Sequence, residues 1–556
     1  MDAPQSIVSI GIDAAGGAPP SADVAFAYHT RTKHDLKRYA AGPETLDWDT
    51  QPNPFREFSG SARTPLPLTA DHLTTTFAQI YQPPGAPAPL TLASVAALLE
   101  LSMGLSAWKE YGPDRWALRC NPSSGNLHPT EAYVLSANVP GLDDGLHHYV
   151  SRDHVLEQRC RRAGRSAAPA RLWIGLASIH WREAWKYGER AFRYCQLDIG
   201  HALGAIRYAA GALGWQATVV GGVESAALRA AMGLDRAGDF AGAEPEDADL
   251  LIAITPGSTA PDEKQNVPEA FDTAADHWSG QANRLDPHPM YRWPVIDEVS
   301  AATHGRATDE PAAPLPYPPL PEGATARAAD IILGRRSAQR FDARHTIGAD
   351  HFHRLLDCLL ARPAAPWDVW CFAPRLHPVL FVHRVEGLAP GVYALPRHPE
   401  AMSALRQELR SDFEWQRPDG VPAHLPLFRL LTTDCRATSR TASCHQAIAS
   451  DGGFSLSMVA EFEPIVGADP WRYRQLYWEA GLLGQVLYLE AEAARLRGTG
   501  IGCYFDDAVH TLLGIETRRF QALYHFTVGR PLTDDRITTF PAYPGRERNE
   551  RWEAAP

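Results

Sequence analysis

Four short stretches of this chain carry residue types able to do chemistry. Arg335-Arg336-Ser337 sets two guanidinium groups beside a hydroxyl. A planar guanidinium matches the oxygens of a phosphate bidentately, and a hydroxyl adds a further contact. Read alone, these residues make a solvated Arg-Arg pair at a helix end, the default for surface charge. Ser123-Ser124-Gly125-Asn126 offers small groups that donate and accept hydrogen bonds without bulk. The same composition also makes an ordinary turn. GTGIG at 498–502 is glycine-rich enough for backbone N–H groups to approach a flat ring closely. Lys186-Tyr187 pairs an amine, able to act as a base once burial lowers its pKa, with a phenol able to relay or orient. Without further context the lysine snorkels and the tyrosine packs.

Those residues need a large scaffold. The chain has 556 residues, which calls for two or three domains. Hydrophobic residues make up 45% and charged residues 21%, an ordinary globular balance. The net charge of -12 argues against a general nucleic-acid binder. The opening residues lack the basic and apolar regions of a secretion signal, and no apolar run approaches the roughly 20 residues of a membrane span. The eight cysteines are scattered without a C-x-x-C pair, so a zinc site or disulfide framework is not expected. A cytoplasmic protein without a metal fits these features.

Residues 1–22 read as loose. A helix is expected over Leu92–Trp108, strands at 130–137 and after the turn at 141–145, an amphipathic helix over 189–213 and a strand at 250–257. Residues 259–325 are polar and then proline-rich, and read as an interdomain connection. The plan then repeats. LHPTEAYVLSA from 127 is echoed by LHPVLFVHRV from 376; FRYCQLDIGHALG from 192 by YRQLYWEAGLLGQ from 473, with Gly200 opposite Gly481; and LLIAITPG from 250 by ALYHFTVG from 522. Three matched segments in one order indicate a duplicated domain of α+β type.

The motifs together resemble the flavin-dependent nitroreductases. RRSAQRFD at 335–342 is similar to their R-R-S-x-R-x-F opening, and NPSSGNLHPTEAY at 121–133 to their P-S-x-x-N-x-x-P loop. KYGERAFRY at 186–194 resembles the SagB/ThcOx branch, the azoline dehydrogenases of peptide natural-product biosynthesis. VGRPLTDDRI at 528–537 resembles the closing strand and phosphate-side tail. The resemblance implies FMN as cofactor. It implies phosphate contacts from Arg335, Arg336 and Ser337, with Arg530 and Arg536 on the phosphate-side tail. Ring and ribityl contacts would come from Pro122, Ser123, Ser124, Asn126 and His128, with Gly500, Gly502 and Tyr504 along the ring. Gln339 stands where the family often has Arg or Lys, so that contact is weakened. Lys186 and Tyr187 become the catalytic candidates.

Each half lacks what the other has. The second half offers only CFAPRLHP where the first has PSSGN, and Gly467-Ala468 where the first has Lys186-Tyr187. The first half has no RRS; its nearest candidate is HTRTKHDLKRY at 29–39, and it ends in TPGS without a match to Arg530. Family members place FMN at a dimer interface with the P-S-x-x-N loop from the opposite subunit. The resemblance therefore implies two tandem nitroreductase-like domains, 23–258 and 326–540, forming a single-chain pseudo-dimer with one intact FMN site. The expected activity is a dehydrogenase or oxidase acting on azoline-type residues of a peptide or small-molecule substrate, with biosynthetic enzymes as partners and further homo-oligomerisation open. The alternatives are an NAD(P)H-dependent nitro, quinone or ene reductase, and a flavin-free scaffold in a biosynthetic complex.

Overall fold

In the computed structural model, the described residues are 21–83, 85–162, 169–257, 277–305 and 317–546. Residues 1–20 and parts of the 259–325 connection lie outside them.

Two antiparallel sheets form the frame. The first holds β1 (Thr130–Ala137), β2 (Gly145–Val150), β3 (Val155–Arg161), β4 (Arg171–Ser178), β5 (Trp215–Val219) and β6 (Asp247–Pro256). The second holds β7 (Leu376–Val382), β8 (Gly391–Ala394), β9 (Phe428–Thr432), β10 (Phe454–Glu461), β11 (Arg497–Ile501) and β12 (Phe520–Gly529). The first sheet runs β3-β2-β1-β4-β6-β5 and the second β9-β8-β7-β10-β12-β11. The order β2-β1-β4-β6-β5 thus recurs as β8-β7-β10-β12-β11, so the echoed segments occupy equivalent places.

The helices repeat too. α1 (His180–Tyr187) leads into α2 (Ala191–Ala212), and α3 (Ala328–Gly334) opens the second half. There the short α4 (Glu463–Ala468) leads into α5 (Arg472–Ala493). α2 and α5 cross at Gly200 and Gly481. A Cβ on Gly200 would stand 2.8 Å from Gly481 Cα while overlapping Trp478 O; one on Gly481 would overlap Leu197 O. Only glycine lets the backbones approach this closely.

That crossing corrects one expectation. The sequence predicts an amphipathic helix over 189–213, yet every residue of α2 except Gly211 is buried. The helix lies between the halves, inside one apolar cluster that runs from Leu203 to Leu482. A helix covered on every side needs no polar face. A second correction concerns Leu92–Trp108. The helix ends at Ser102, and Trp108 lies in the strand Leu105–Tyr111, paired with Asp114–Arg119 and with Thr538–Phe540. The helical spacing is overridden by a hairpin, with Trp108 opposite Ala117, and Thr538–Phe540 from more than 400 residues away covers its other edge.

The terminal segments cross between halves. Ser21–Arg31 packs on the second half, where the ring nitrogens of His29 meet Tyr473 Oη and Gln521 Oε1, each at 3.3 Å. Thr538–Phe540 packs on the first half, and Tyr543 Oη accepts from Leu105 N–H at 2.8 Å. The described part of the connection is folded rather than bare. His277–Trp278 pairs with β3, Gln281–Ala282 pairs with Phe58–Ser59, and the helix Pro294–Ala302 supplies Ser300 O to the buried Arg474 guanidinium.

Candidate functional site

A cavity of about 470 Å³ opens between the halves. Its first-half wall is the loop following Asp114–Arg119, with Tyr187 from the end of α1 and Tyr194, Asp198 and His201 from α2. Its second-half wall is the turn after α3, with Tyr488 from α5, residues 499–503 at β11, and Tyr524.

Arg335 is the last cap residue of α3 and is buried. Its Nε donates to Cys120 O at 3.2 Å and Nη2 to Arg119 O at 3.0 Å, while Nη1 finds no hydrogen-bond partner. The guanidinium lies over the Tyr488 ring, 5.0 Å from its centroid. Arg336 donates only to backbone carbonyls and Ser106 Oγ. Among the described residues neither arginine has a carboxylate at ion-pair distance. Burial, then the neighbouring Arg335, brings Arg336 down to about 10. Burial with Arg336 and Arg497 likewise lowers Lys109. Lys109, Arg335, Arg336 and Arg497 all line this end of the cavity, although Arg497 also meets Glu492 at 3.5 Å. Buried cations without acids cost free energy that a bound anion removes. The orphaned Nη1 and this donor set fit a phosphate group.

The loop opposite is held by its own side chains. Gly125, Asn126 and His128 all have positive φ, at 59°, 61° and 53°. Ser123 Oγ accepts from His128 N–H at 2.8 Å, Asn126 Nδ2 donates to Ala117 O at 2.9 Å, and Ser124 N–H donates to Asp198 Oδ1 at 3.2 Å. Several groups that the sequence assigns to a ligand therefore fix the loop. A Cβ on Gly125 would come 2.6 Å from Tyr187 Oη and 3.2 Å from Lys186 Nζ, so both catalytic candidates crowd this glycine of the loop. Tyr187 lines the cavity and Lys186 does not. Lys186 is half-buried, its Nζ 5.4 Å from the Trp48 ring centroid; burial lowers its pKa and Glu183 partly restores it. Beneath the loop, burial raises Asp198 to about 7 and, with Asp198 beside it, raises Glu183 as well.

Glycines on the second-half wall make room for tyrosines. A Cβ on Gly500 would overlap Tyr524 Oη, and one on Gly502 would overlap the Tyr194 ring. Gly500 N–H donates to Tyr488 Oη at 2.9 Å, and Ser337 Oγ reaches the same oxygen at 2.9 Å. His201 Nε2 meets Tyr524 Oη at 3.0 Å; burial, then Arg335, brings its imidazole down to about 3.

Pro122, Ser123, Ser124, Asn126, His128, Tyr187, Arg335, Arg336, Ser337, Gln339, Gly500 and Gly502 thus come together from both halves. Four candidates do not line the cavity: Lys186, Tyr504, Arg530 and Arg536. Tyr504 is buried, donating to Ala522 O and stacked on His525 at 4.4 Å. Arg530 is exposed at the end of β12. Arg536 pairs with Asp534 at 2.7 Å and lies over Tyr111. Lys109, Arg497, Tyr488, Asp198, His201 and Tyr524 were missed. Asp198 and His201 did leave a signal, two polar groups three residues apart in a helix that is otherwise largely apolar.

In the basic 29–39 stretch, Arg31 pairs with Glu189 at 2.6 Å and Lys33 with Asp507 at 2.8 Å. Where α4 ends, Gly467-Ala468 occupies the place of Lys186-Tyr187. Phe372 of the CFAPRLHP segment, Trp471 and Trp478 pack together, with centroids 5.7 Å apart for Phe372 and Trp471 and 5.4 Å for Trp471 and Trp478. His377, His398 and Glu461 form a cluster with metal-ligand spacing. Its hydrogen bonds account for it without an ion. His377 Nδ1 accepts from Arg397 N–H and its Nε2–H donates to Glu461 Oε1 at 3.3 Å, while His398 meets Glu461 Oε1 through Nε2 at 2.7 Å and Glu400 Oε2 through Nδ1 at 3.1 Å.

Residues 86–243 match the Nitroreductase family model. A Methanocaldococcus jannaschii protein whose name places it among nitroreductases is 27% identical over 144 residues, 24% of this chain and 69% of that protein. The crystal structure of an Anabaena variabilis protein named in the same way covers 92% of this chain and 99% of its own, with a TM-score of 0.64 at 22% identity. The chain therefore carries a nitroreductase-family domain in its first half and shares that fold along most of its length. Among the described residues no helix is long and apolar enough to cross a membrane.

Proposed function

We propose that this chain is an FMN-dependent oxidoreductase built as a single-chain pseudo-dimer of nitroreductase-like domains, with one flavin held between its halves. The observation that carries this reading is the pair Arg335 and Arg336: buried or half-buried, without a carboxylate, and facing the Ser123–Asn126 loop of the other half across the cavity. Arg335, Arg336 and Lys109 would hold the phosphate, and the walls bearing Tyr194, Tyr488 and Gly500 would flank the ring. When bound, the flavin supplies two-electron chemistry, and the chain supplies orientation and charge.

Within that reading the favoured activity is oxidation of an azoline-type residue in a peptide natural product, with biosynthetic enzymes as partners. Tyr187, which lines the cavity, would orient the substrate and relay the carbon-bound proton to Lys186, depressed by burial and crowding the same glycine from outside the cavity lining. His201 stays neutral at neutral pH and adds no cation to the far wall.

The test is flavin stoichiometry: the purified chain is denatured, and the released cofactor identified and counted per polypeptide. One FMN per chain is expected, because the second half has CFAPRLHP in place of PSSGN and Gly467-Ala468 in place of Lys186-Tyr187, with Phe372 of that segment packed on Trp471. Two would refute the single site, and none after reconstitution would leave a scaffold. Fast bleaching by NADPH without oxidation of azoline peptides would instead make the protein a reductase.

A further inference from the structure

Cys503 directly follows the glycine-rich wall and lines the cavity, as does Gln446 on the facing turn. Cys444 Sγ lies 2.8 Å from Cys503 Sγ, although 59 residues separate them. A disulfide needs the sulfurs at about 2.05 Å, so closure requires a shift of under ~1 Å. Both cysteines are half-buried, whereas Cys120, Cys160, Cys195, Cys358 and Cys435 are buried.

The approach is built rather than incidental. Cys444 and His445 have φ of 51° and 60°, two consecutive left-handed residues without a glycine. Such backbone costs free energy and persists only where its surroundings impose it. Here Phe505 N–H donates to Ala442 O at 2.8 Å, and Gln446 Nε2 donates to Cys503 O at 3.1 Å. These two bonds bracket the sulfurs and fix their separation.

The surroundings also distinguish the two thiols. His34 Nδ1 accepts from Ala40 N–H at 2.8 Å, which leaves Nε2 with the proton, and the ring neighbours Cys503. Arg190 donates to Gly502 O at 3.3 Å on the same side. Hydrogen bonding from Cys444, then from His34, brings the Cys503 thiol down to about 5, while the contact with Cys503, then burial, raises Cys444. The His34 ring and the Arg190 guanidinium on its side favour Cys503 as the attacking sulfur and Cys444 as the resolving one, the division of labour that thiol–disulfide exchange requires. Tyr39, 52% exposed and beside Cys444, marks the pair's solvent side.

We propose that Cys444 and Cys503 form a reversible dithiol–disulfide couple at the cavity rim that exchanges with small disulfide compounds. The Cys503 thiolate attacks one sulfur of R–S–S–R, forming a mixed disulfide and releasing RS⁻, which takes up a proton. Cys444 then loses its proton and attacks Cys503 Sγ, and the second RS⁻ leaves and is protonated. Two protein thiols are oxidised to one disulfide, and one R–S–S–R is reduced to two R–SH. The new bond ties the wall bearing Gly500 and Gly502 to the turn bearing Gln446. The couple does not depend on the flavin assignment.

The experiment equilibrates the full chain in mixtures of oxidised and reduced glutathione, quenches with acid, unfolds, alkylates, and maps the products by mass. Reduced protein should alkylate at all eight cysteines. Oxidised protein should alkylate at six, the missing two joined as a Cys444–Cys503 peptide, with half-buried Cys371 still reactive as the internal control. Cys444→Ser should trap glutathione on Cys503, whereas Cys503→Ser should leave Cys444 largely unmodified. Eight alkylated cysteines at the oxidising end, or a bridge between other positions, would overturn the couple. Equal trapping in both variants would overturn Cys503 as the attacking sulfur.

Discussion

Arg335→Met tests the anion site, because it should move ligand affinity and protein stability by very different amounts. Arg335 holds a buried positive charge whose hydrogen bonds go to two backbone carbonyls, with Nη1 left over. In the flavin-free protein, methionine removes an uncompensated charge, which stabilises, but leaves Cys120 O and Arg119 O without those donors, at about 1 kcal/mol each. The two effects oppose, so the flavin-free protein should change by less than about 2 kcal/mol. In the flavin-bound protein the variant strips a desolvated, charge-assisted contact from a dianion, a loss on the order of 2–5 kcal/mol. Taking about 3 kcal/mol, the FMN dissociation constant should rise roughly 100-fold. Titrating flavin-free protein with FMN by fluorescence gives that constant, and thermal melts without flavin give the stability term. Arg530→Met is the control, since its exposed side chain lies off the cavity and should leave affinity unchanged. A rise of less than about threefold for Arg335→Met (under ~0.7 kcal/mol) would refute the phosphate assignment. Equal weakening by Arg530→Met would mean that net charge, rather than this contact, controls binding.

Lys186→Met should keep the flavin and lose oxidation of azoline peptides; in the parent enzyme the rate should fall as pH drops through a lysine pKa below 10.5, and an unchanged acid limb in the variant would place the base elsewhere. Asp198 is raised by burial to about 7, so its neutral form stabilises the fold below its unfolded value of 3.8, and that contribution is lost as pH rises through about 7. Asp198→Asn should therefore gain thermal stability relative to the parent above pH ~7 compared with below it, and parallel melting curves across that range would rule out the assignment. Gly481→Ala places a Cβ against backbone at Leu197 and Gly200, so it should cost at least about 3 kcal/mol, the top of the usual overpacking range, and chemical denaturation showing under ~1 kcal/mol would mean that the helices slide apart freely.

Local chemistry in the sequence was enough for several parts of this protein. The strand at 130–137 announces itself by residue type, and the long helices by spacing and by Gly200 and Gly481, which mark where two backbones meet. The echo of three segments indicates a duplication, and the echoed strands hold equivalent places in the two sheets. The paired guanidinium groups and the serine-glycine-asparagine loop are legible because a ligand's chemistry restricts residue type within a few positions. The rest depends on what lies opposite in space. Trp108 carries a helical pattern yet sits in a hairpin opposite Ala117, with Phe540 from the far end of the chain on its other side. Arg530 and Arg536 sit in a matching motif yet do not line the cavity, one exposed and one held by Asp534. Lys109 and Arg497 are ordinary surface cations in the sequence and become part of one electropositive corner only when a hairpin of the first half meets β11 of the second. Sequence spacing encodes periodicity along the chain, while charge, burial and the approach of Cys444 to Cys503 depend on distances across it. Only the packing of the two halves sets those distances.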